Sequence, residues 1–357
     1  MDTLTDVEWE SCTLEPHVDP ELERWVRRML GITPPPTRYF SRCPWIMRAF
    51  VRFDESLLPL QHIDLQTARF IALVVSQDNS CRFCYAANRS VLKFIGVPDN
   101  VVSGLEQELL VASDPDLKDD LAFARSVSRA DPIPADECRR LVSAGRARGR
   151  IQEIAFVAAC HTYYNRLATL PALPLVEVEH LLDAWWMRLL RPAIAWKMRR
   201  PSTSRVDDSA LDLGSTPFPY LIDALRDLSI ARPFAAVLSE AWQSPALSER
   251  TRALCFAVIA HGLGASVAER EAHALLVRAG MDDAQVQSAL ANLTAPGMSD
   301  AEVAVARFAR DTIRYKPALV QRSARALCEV LAPEQYIDVI GVTSLANAVC
   351  RLEVVLA

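Results

Sequence analysis

Cys81-Arg82-Phe83-Cys84 is the one close cysteine pair in a chain of 357 residues that scatters its other seven thiols. Two thiols three positions apart on a helix lie within one turn, so they can form and break a disulfide. The chemistry such a pair offers is redox exchange, driven by whichever sulfur is held as thiolate. Two other readings are poorer fits. Structural zinc needs four ligands, and no second Cys or His pair stands at suitable spacing, so no metal is expected. A thioredoxin-like strand-helix-strand context is missing, because the flanking pattern is helical.

The elements that must position the pair also read as helices. Apolar residues recur at three- and four-residue spacing over Ile151–Ala168, Ala253–Ala279, Ala301–Ile313 and Tyr336–Leu356. Between such runs, Asp99 after Pro98, Asp114-Pro115-Asp116, Asp131-Pro132 and Ser299-Asp300 have the character of caps and turns. With 11 glycines and 7% aromatic residues, a β-rich design is disfavoured. The expectation is an all-α protein.

The two halves of the chain carry matching anchors. Thr67 and Thr251 stand 184 positions apart (251 − 67), as do Gly96 and Gly280. Phe123-Ala124-Arg125 with Arg129 matches Phe308-Ala309-Arg310 with Arg314 at an offset of 185 (308 − 123), and Arg166-Leu167 matches Arg351-Leu352 at the same offset. A drift of one residue over so long a stretch points to a tandem duplication. The implied division is 1–198 for an amino-terminal segment plus the first repeat, 199–216 for a polar linker, and 217–357 for a second, degenerate repeat. At the 184 offset Cys81 falls on Ala265 and Cys84 on Ala268, so thiol chemistry belongs to the first repeat alone.

Around the pair, Leu65-Gln66-Thr67-Ala68-Arg69-Phe70-Ile71-Ala72-Leu73-Val74-Val75-Ser76 leads into Asn79-Ser80-Cys81-Arg82-Phe83-Cys84-Tyr85-Ala86-Ala87-Asn88, and Gly96 follows. With Arg48-Ala49-Phe50 upstream and Phe123-Ala124-Arg125 and Asn165-Arg166-Leu167 downstream, this stretch resembles the carboxymuconolactone decarboxylase-like superfamily, in its alkyl hydroperoxidase D-like, peroxidase-related branch. The resemblance covers most of 20–175 and recurs without cysteines over about 217–357. It implies two helical-bundle repeats and a thiol peroxidase without a cofactor. Cys84 would attack a peroxide to give a sulfenic acid, and Cys81 would resolve it to the disulfide. A dithiol carrier or a lipoyl group would then reset the pair.

That family's active members carry a glutamate twelve residues before the first cysteine and a histidine four after the second. Arg69 and Asn88 hold those positions here. The expectation that follows gives Asn88 the task of holding a sulfur or a water. Arg69, with Arg82, supplies a positive field that keeps a thiolate. His161 and Tyr85 stand as second-rank candidates, His161 as a base approaching from another helix. His62, His261 and His273 read as ordinary histidines, and the remaining cysteines as small core residues.

A net charge of −5 gives no electrostatic case for nucleic acid or an anionic membrane. The acidic, polar start and the lack of an uninterrupted apolar run of spanning length lead to a cytoplasmic expectation. Trp185-Trp186-Met187-Arg188 through Trp196-Lys197-Met198-Arg199-Arg200 reads as a connecting helix with indoles buried between repeats rather than as a membrane surface. Family analogy adds a homo-oligomer assembled through apolar helix faces.

Overall fold

The structure, a computed structural model, describes residues 4, 7–57, 60–106, 115–131, 133–174, 216–226 and 230–356. Residues 199–215 of the expected linker and the Trp185–Arg200 stretch lie outside the described residues. Among the described residues every regular element is a helix, so the all-α expectation holds.

The first half runs α1 (Pro20–Leu30), α2 (Pro36–Phe40), α3 (Pro44–Ser56), α4 (Leu65–Asp78), α5 (Arg82–Phe94), α6 (Asp99–Glu106), α7 (Pro115–Arg129), α8 (Pro134–Ser143) and α9 (Arg148–Thr169). The second runs α10 (Pro219–Leu225), α11 (Ala231–Trp242), α12 (Glu249–Leu263), α13 (Ser266–Arg278), α14 (Asp283–Asn292), α15 (Asp300–Asp311), α16 (Pro317–Cys328) and α17 (Pro333–Leu356). The apolar run over 253–279 is therefore two helices rather than one. Gly264 breaks it at φ 69, a left-handed conformation that glycine adopts without steric cost.

The helix starts keep the offset seen in the sequence. Arg82 and Ser266 open α5 and α13, and Asp99 and Asp283 open α6 and α14, each pair 184 apart (266 − 82). The local caps correspond too. Asp64 accepts the Thr67 amide at 2.7 Å, and Ser248, 184 further on, accepts the Thr251 amide at 3.1 Å. Gly96 and Gly280 both turn left-handed, at φ 91 and φ 94. At Ser299 the expected cap is a full capping box with Glu302.

The halves share one continuous hydrophobic core. Its centre is α9 against α17, two long helices buried on nearly every face, as helices without a polar side must be. By length and composition α17 could cross a membrane, yet 89% of its most apolar window is buried by the surrounding helices. Across the halves, α3 meets α11 through Phe53 and Phe234, whose rings are 5.7 Å apart. Trp45 on α3 donates its indole N–H to Asp338 on α17 at 2.6 Å, and Ser244 donates to the same carboxylate at 2.7 Å. The close approach depends on Gly341, because a Cβ there would lie 2.7 Å from Ile46 and Trp45 side-chain atoms.

Candidate functional site

The cysteine pair sits where α4 ends and α5 begins. After α4 the chain reverses through Asn79 and Ser80, and the Cys81 amide donates back to the Ser76 carbonyl at 2.9 Å. Ser80 takes φ 49, a left-handed conformation that costs a side-chain-bearing residue about 1 kcal/mol. That turn places Cys81 at the N-cap of α5, where its Sγ accepts the Cys84 amide at 3.4 Å. A cysteine thus fills the position that Ser, Thr, Asp or Asn ordinarily takes at a helix start.

Burial and proton affinity differ between the two thiols. Cys81 is fully enclosed, whereas Cys84 retains 7% of its surface. Both are free thiols. Burial pushes the Cys81 thiol up, but the Cys84 thiol, the Cys84 amide, the Thr169 hydroxyl and the Phe83 amide together outweigh it and bring Cys81 below its ordinary value. Cys84 moves the other way, raised by burial, by its bond to Cys81 and by the charge on Cys81. Of the two sulfurs Cys81 is therefore the one that gives up its proton more readily, with the Cys84 thiol as its donor. The helix amino terminus adds partial positive charge in the same place. The other seven cysteines all have raised pKa values, with burial as the leading cause.

Asn88 does not turn toward the sulfurs. Its amide donates to the Ala72 carbonyl at 3.5 Å and to Ser76 Oγ at 3.3 Å on α4. Ser76 Oγ donates in turn to Asn165 Oδ1 at 3.1 Å, and Asn165 Nδ2 donates to the Val75 carbonyl at 3.2 Å. Asn88 is thereby a member of a buried bridge between α4, α5 and α9, in place of the sulfur-holding task expected of it.

Arg69 is likewise engaged elsewhere, reaching Asp54 on α3 at 3.6 Å. The groups that lower Cys81 are the Cys84 thiol, the Cys84 amide, the Thr169 hydroxyl and the Phe83 amide, with neither Arg69 nor Arg82 among them, in place of the expected guanidinium field. His161 lies near Arg69, eight residues before Thr169 on α9, or about 12 Å along the helix axis. It is buried, packs its ring 5.3 Å from that of Tyr164, and has no hydrogen-bond partner at either nitrogen. Burial and then Arg69 push its pKa down to about 3, so it stays neutral and is a poor base. Tyr85 is buried beside the pair, its amide donating to the Cys81 carbonyl at 2.9 Å.

Sequence reasoning missed Thr169 and Tyr315. The Thr169 hydroxyl has no hydrogen-bond partner of ordinary geometry, yet it stands close enough to favour the anions of Cys81 and Tyr315. Tyr315 comes from the second half, following α15. Its hydroxyl is buried and unpartnered, and its pKa is pushed up to about 12 by burial, with the charges of Cys81 and Cys84 adding to the rise. The Arg166 guanidinium lies 5.1 Å from its ring centroid. The only sequence signal for Tyr315 was its offset of 185 from Ala130 (315 − 130), a pairing of unlike residues.

Among the described residues no group of three or more His, Cys, Asp or Glu side chains stands together to hold a metal ion. No protein-family model, curated protein or solved structure matches the chain.

Proposed function

We propose that the chain is a dithiol oxidoreductase of the alkyl hydroperoxidase D-like kind, reducing a peroxide at Cys84 and resolving at Cys81. The observation that carries this reading is the Cys81 sulfur at the N-cap of α5, 3.4 Å from the Cys84 amide, with the less enclosed Cys84 one turn away. The family's glutamate and histidine are absent, and the Cys81 thiolate takes over proton handling. As Cys84 sulfur bonds to the terminal peroxide oxygen and the O–O bond breaks, the Cys84 proton passes to Cys81. Cys81 returns it to the departing alkoxide, giving an alcohol and a Cys84 sulfenic acid. The restored Cys81 thiolate then attacks that sulfur, expelling hydroxide and closing the disulfide. An external dithiol or dihydrolipoyl group reduces the disulfide by exchange and is itself oxidised.

Descent of both halves from one helical unit, with only the first retaining the thiols, is supported by the shared helix offsets and caps. The second half then serves the site as packing partner and as donor of Tyr315.

A non-catalytic helical scaffold is the competing reading. It is favoured by the full enclosure of Cys81 and by the engagement of Asn88 and Arg69 away from the sulfurs. Peroxide consumption with a dithiol reductant separates the two. Wild type should turn over and Cys84→Ser should not, while Cys81→Ser, lacking both the proton acceptor and the resolving thiol, should form a Cys84 sulfenic acid only slowly and should not close a disulfide. Equal rates in all three proteins would favour the scaffold.

A further inference from the structure

A cavity of about 140 Å³ with no cysteine in its wall opens between the halves, lined by Ala130, Ile133, Pro134, Leu263, Arg314, Arg351 and Val354. Its charge is unbalanced. Arg351 is 1% exposed and donates to the carbonyls of Ser128 at 2.9 Å and Ile313 at 2.7 Å, and to Asn347 Oδ1 at 2.6 Å. Behind it Arg166, equally buried, donates to the carbonyls of Thr312 and Ile313, each at 2.9 Å. Arg314 at the rim donates to the Ala130 carbonyl at 3.1 Å.

Every one of these acceptors is neutral. Among the described residues none of the three arginines forms an ion pair with a carboxylate, although fifteen other arginines do. Buried charge without a counter-charge is costly in a low-dielectric interior. Burial pushes the Arg351 guanidinium down, and the charges of Arg166 and Arg314 push it the same way. Glu353, two residues along α17, is committed to the α13 amides, and exposed Asp131 makes no ion pair among the described residues. The phenol of Tyr315, raised to about 12, is neutral near pH 7.

The void has a structural origin. At the offset of 185, Ala130 corresponds to Tyr315, and Arg351 to Arg166. In the first half the Tyr315 ring lies against Arg166 at 5.1 Å. In the second, Ala130 offers only a methyl group, and space remains beside Arg351.

We propose that this cavity binds a short-chain aliphatic carboxylate. The carboxylate neutralises Arg351 and Arg314, and the alkyl stem rests on Ile133, Leu263 and Val354. Two guanidiniums select a planar oxyanion, and the limited volume and apolar wall select a small one with an alkyl tail. This site is independent of the thiol reading.

Calorimetric titration of the full chain tests it, using propionate, the neutral propionamide and inorganic phosphate at constant ionic strength. Propionate should bind saturably, and propionamide and phosphate should bind at least about tenfold more weakly. Arg314→Gln removes the rim cation without disturbing the core and should weaken propionate at least about tenfold. Val354→Phe fills the void and should abolish binding, with circular dichroism verifying the fold of both variants. Propionate binding no tighter than propionamide or phosphate, or unchanged in both folded variants, would overturn the assignment.

Discussion

The amino termini of α5 and α13 are the same local structure with different acceptors. Cys81 caps α5 at φ −83, ψ 94, and Ala265 opens α13 at φ −80, ψ 83. The residue before each is left-handed, Ser80 in one and Gly264 in the other. At α5 the exposed amides face the Cys81 sulfur. At α13 no side chain at the cap position can accept, and Glu353 from α17 takes the Val267 amide at 3.3 Å, with the Ala268 amide also bonding its carboxylate. The amides of a helix start need an acceptor, and the helix dipole favours a negative one. The second half meets that need with a carboxylate and the first with a sulfur, an arrangement that favours the anionic form of Cys81.

The largest effect in this comparison belongs to the cysteines. Cys84→Ser should lower peroxide turnover with a dithiol reductant by at least about a hundredfold, a loss typical of removing a positioned reactive group. Glu353→Ala should leave the α13 amides buried without an acceptor and lower the unfolding free energy by about 1–3 kcal/mol in urea denaturation. A variant as stable as wild type would mean that the α13 amides need no anion.

A smaller effect concerns Glu271, on the face of α13 toward Glu353. Burial, with Glu353 adding, raises its pKa from an ordinary 4.5 to about 7, against the opposing Tyr220 amide and Arg270. Between those values the folded protein holds a proton that the unfolded chain has released. The stability this contributes is complete below about pH 4.5 and is lost as pH rises through about 7. Because Glu271 is only partly buried, solvent screening leaves about 1 kcal/mol of that slope. Glu271→Gln should flatten urea midpoints measured across this window, and an unchanged slope would exclude Glu271 as its source. Smallest is Ser80→Gly, which should raise stability by a few tenths of a kcal/mol. It relieves the left-handed strain, while the greater freedom of an unfolded glycine offsets part of the gain. A fall in melting temperature would show that the Ser80 side chain contributes more than its backbone costs.

What could be read in the sequence was local or periodic. The helix periods of α9 and α17, the Ser299 cap and the constant offset all follow from spacing along one chain. The cysteine pair was visible for the same reason, since two thiols three apart need no tertiary information. Arg69 shows where spacing fails. Its position relative to Cys81 was legible, but Asp54 on α3 decides where the guanidinium points. Asn88 was drawn to Ser76 by a partner on another helix. Thr169, Tyr315 and Glu353 reach the two helix starts only through the packing of α9 and α17 and of the chain after α15. Arg166 and Arg351 were noticed as repeat anchors, and their crossing onto carbonyls of the opposite half became apparent only with the halves in contact.

Ultraviolet absorbance of thiolate, followed against pH in wild type, Cys81→Ser and Cys84→Ser, bears most directly on the anion at the start of α5. The other seven cysteines titrate above the ordinary thiol range and leave the neutral window clear. One thiolate per chain forming below the ordinary thiol range, present in wild type and Cys84→Ser and missing from Cys81→Ser, is the expected result. Absence from wild type of any thiolate below the ordinary thiol range, or its survival in Cys81→Ser, would contradict it.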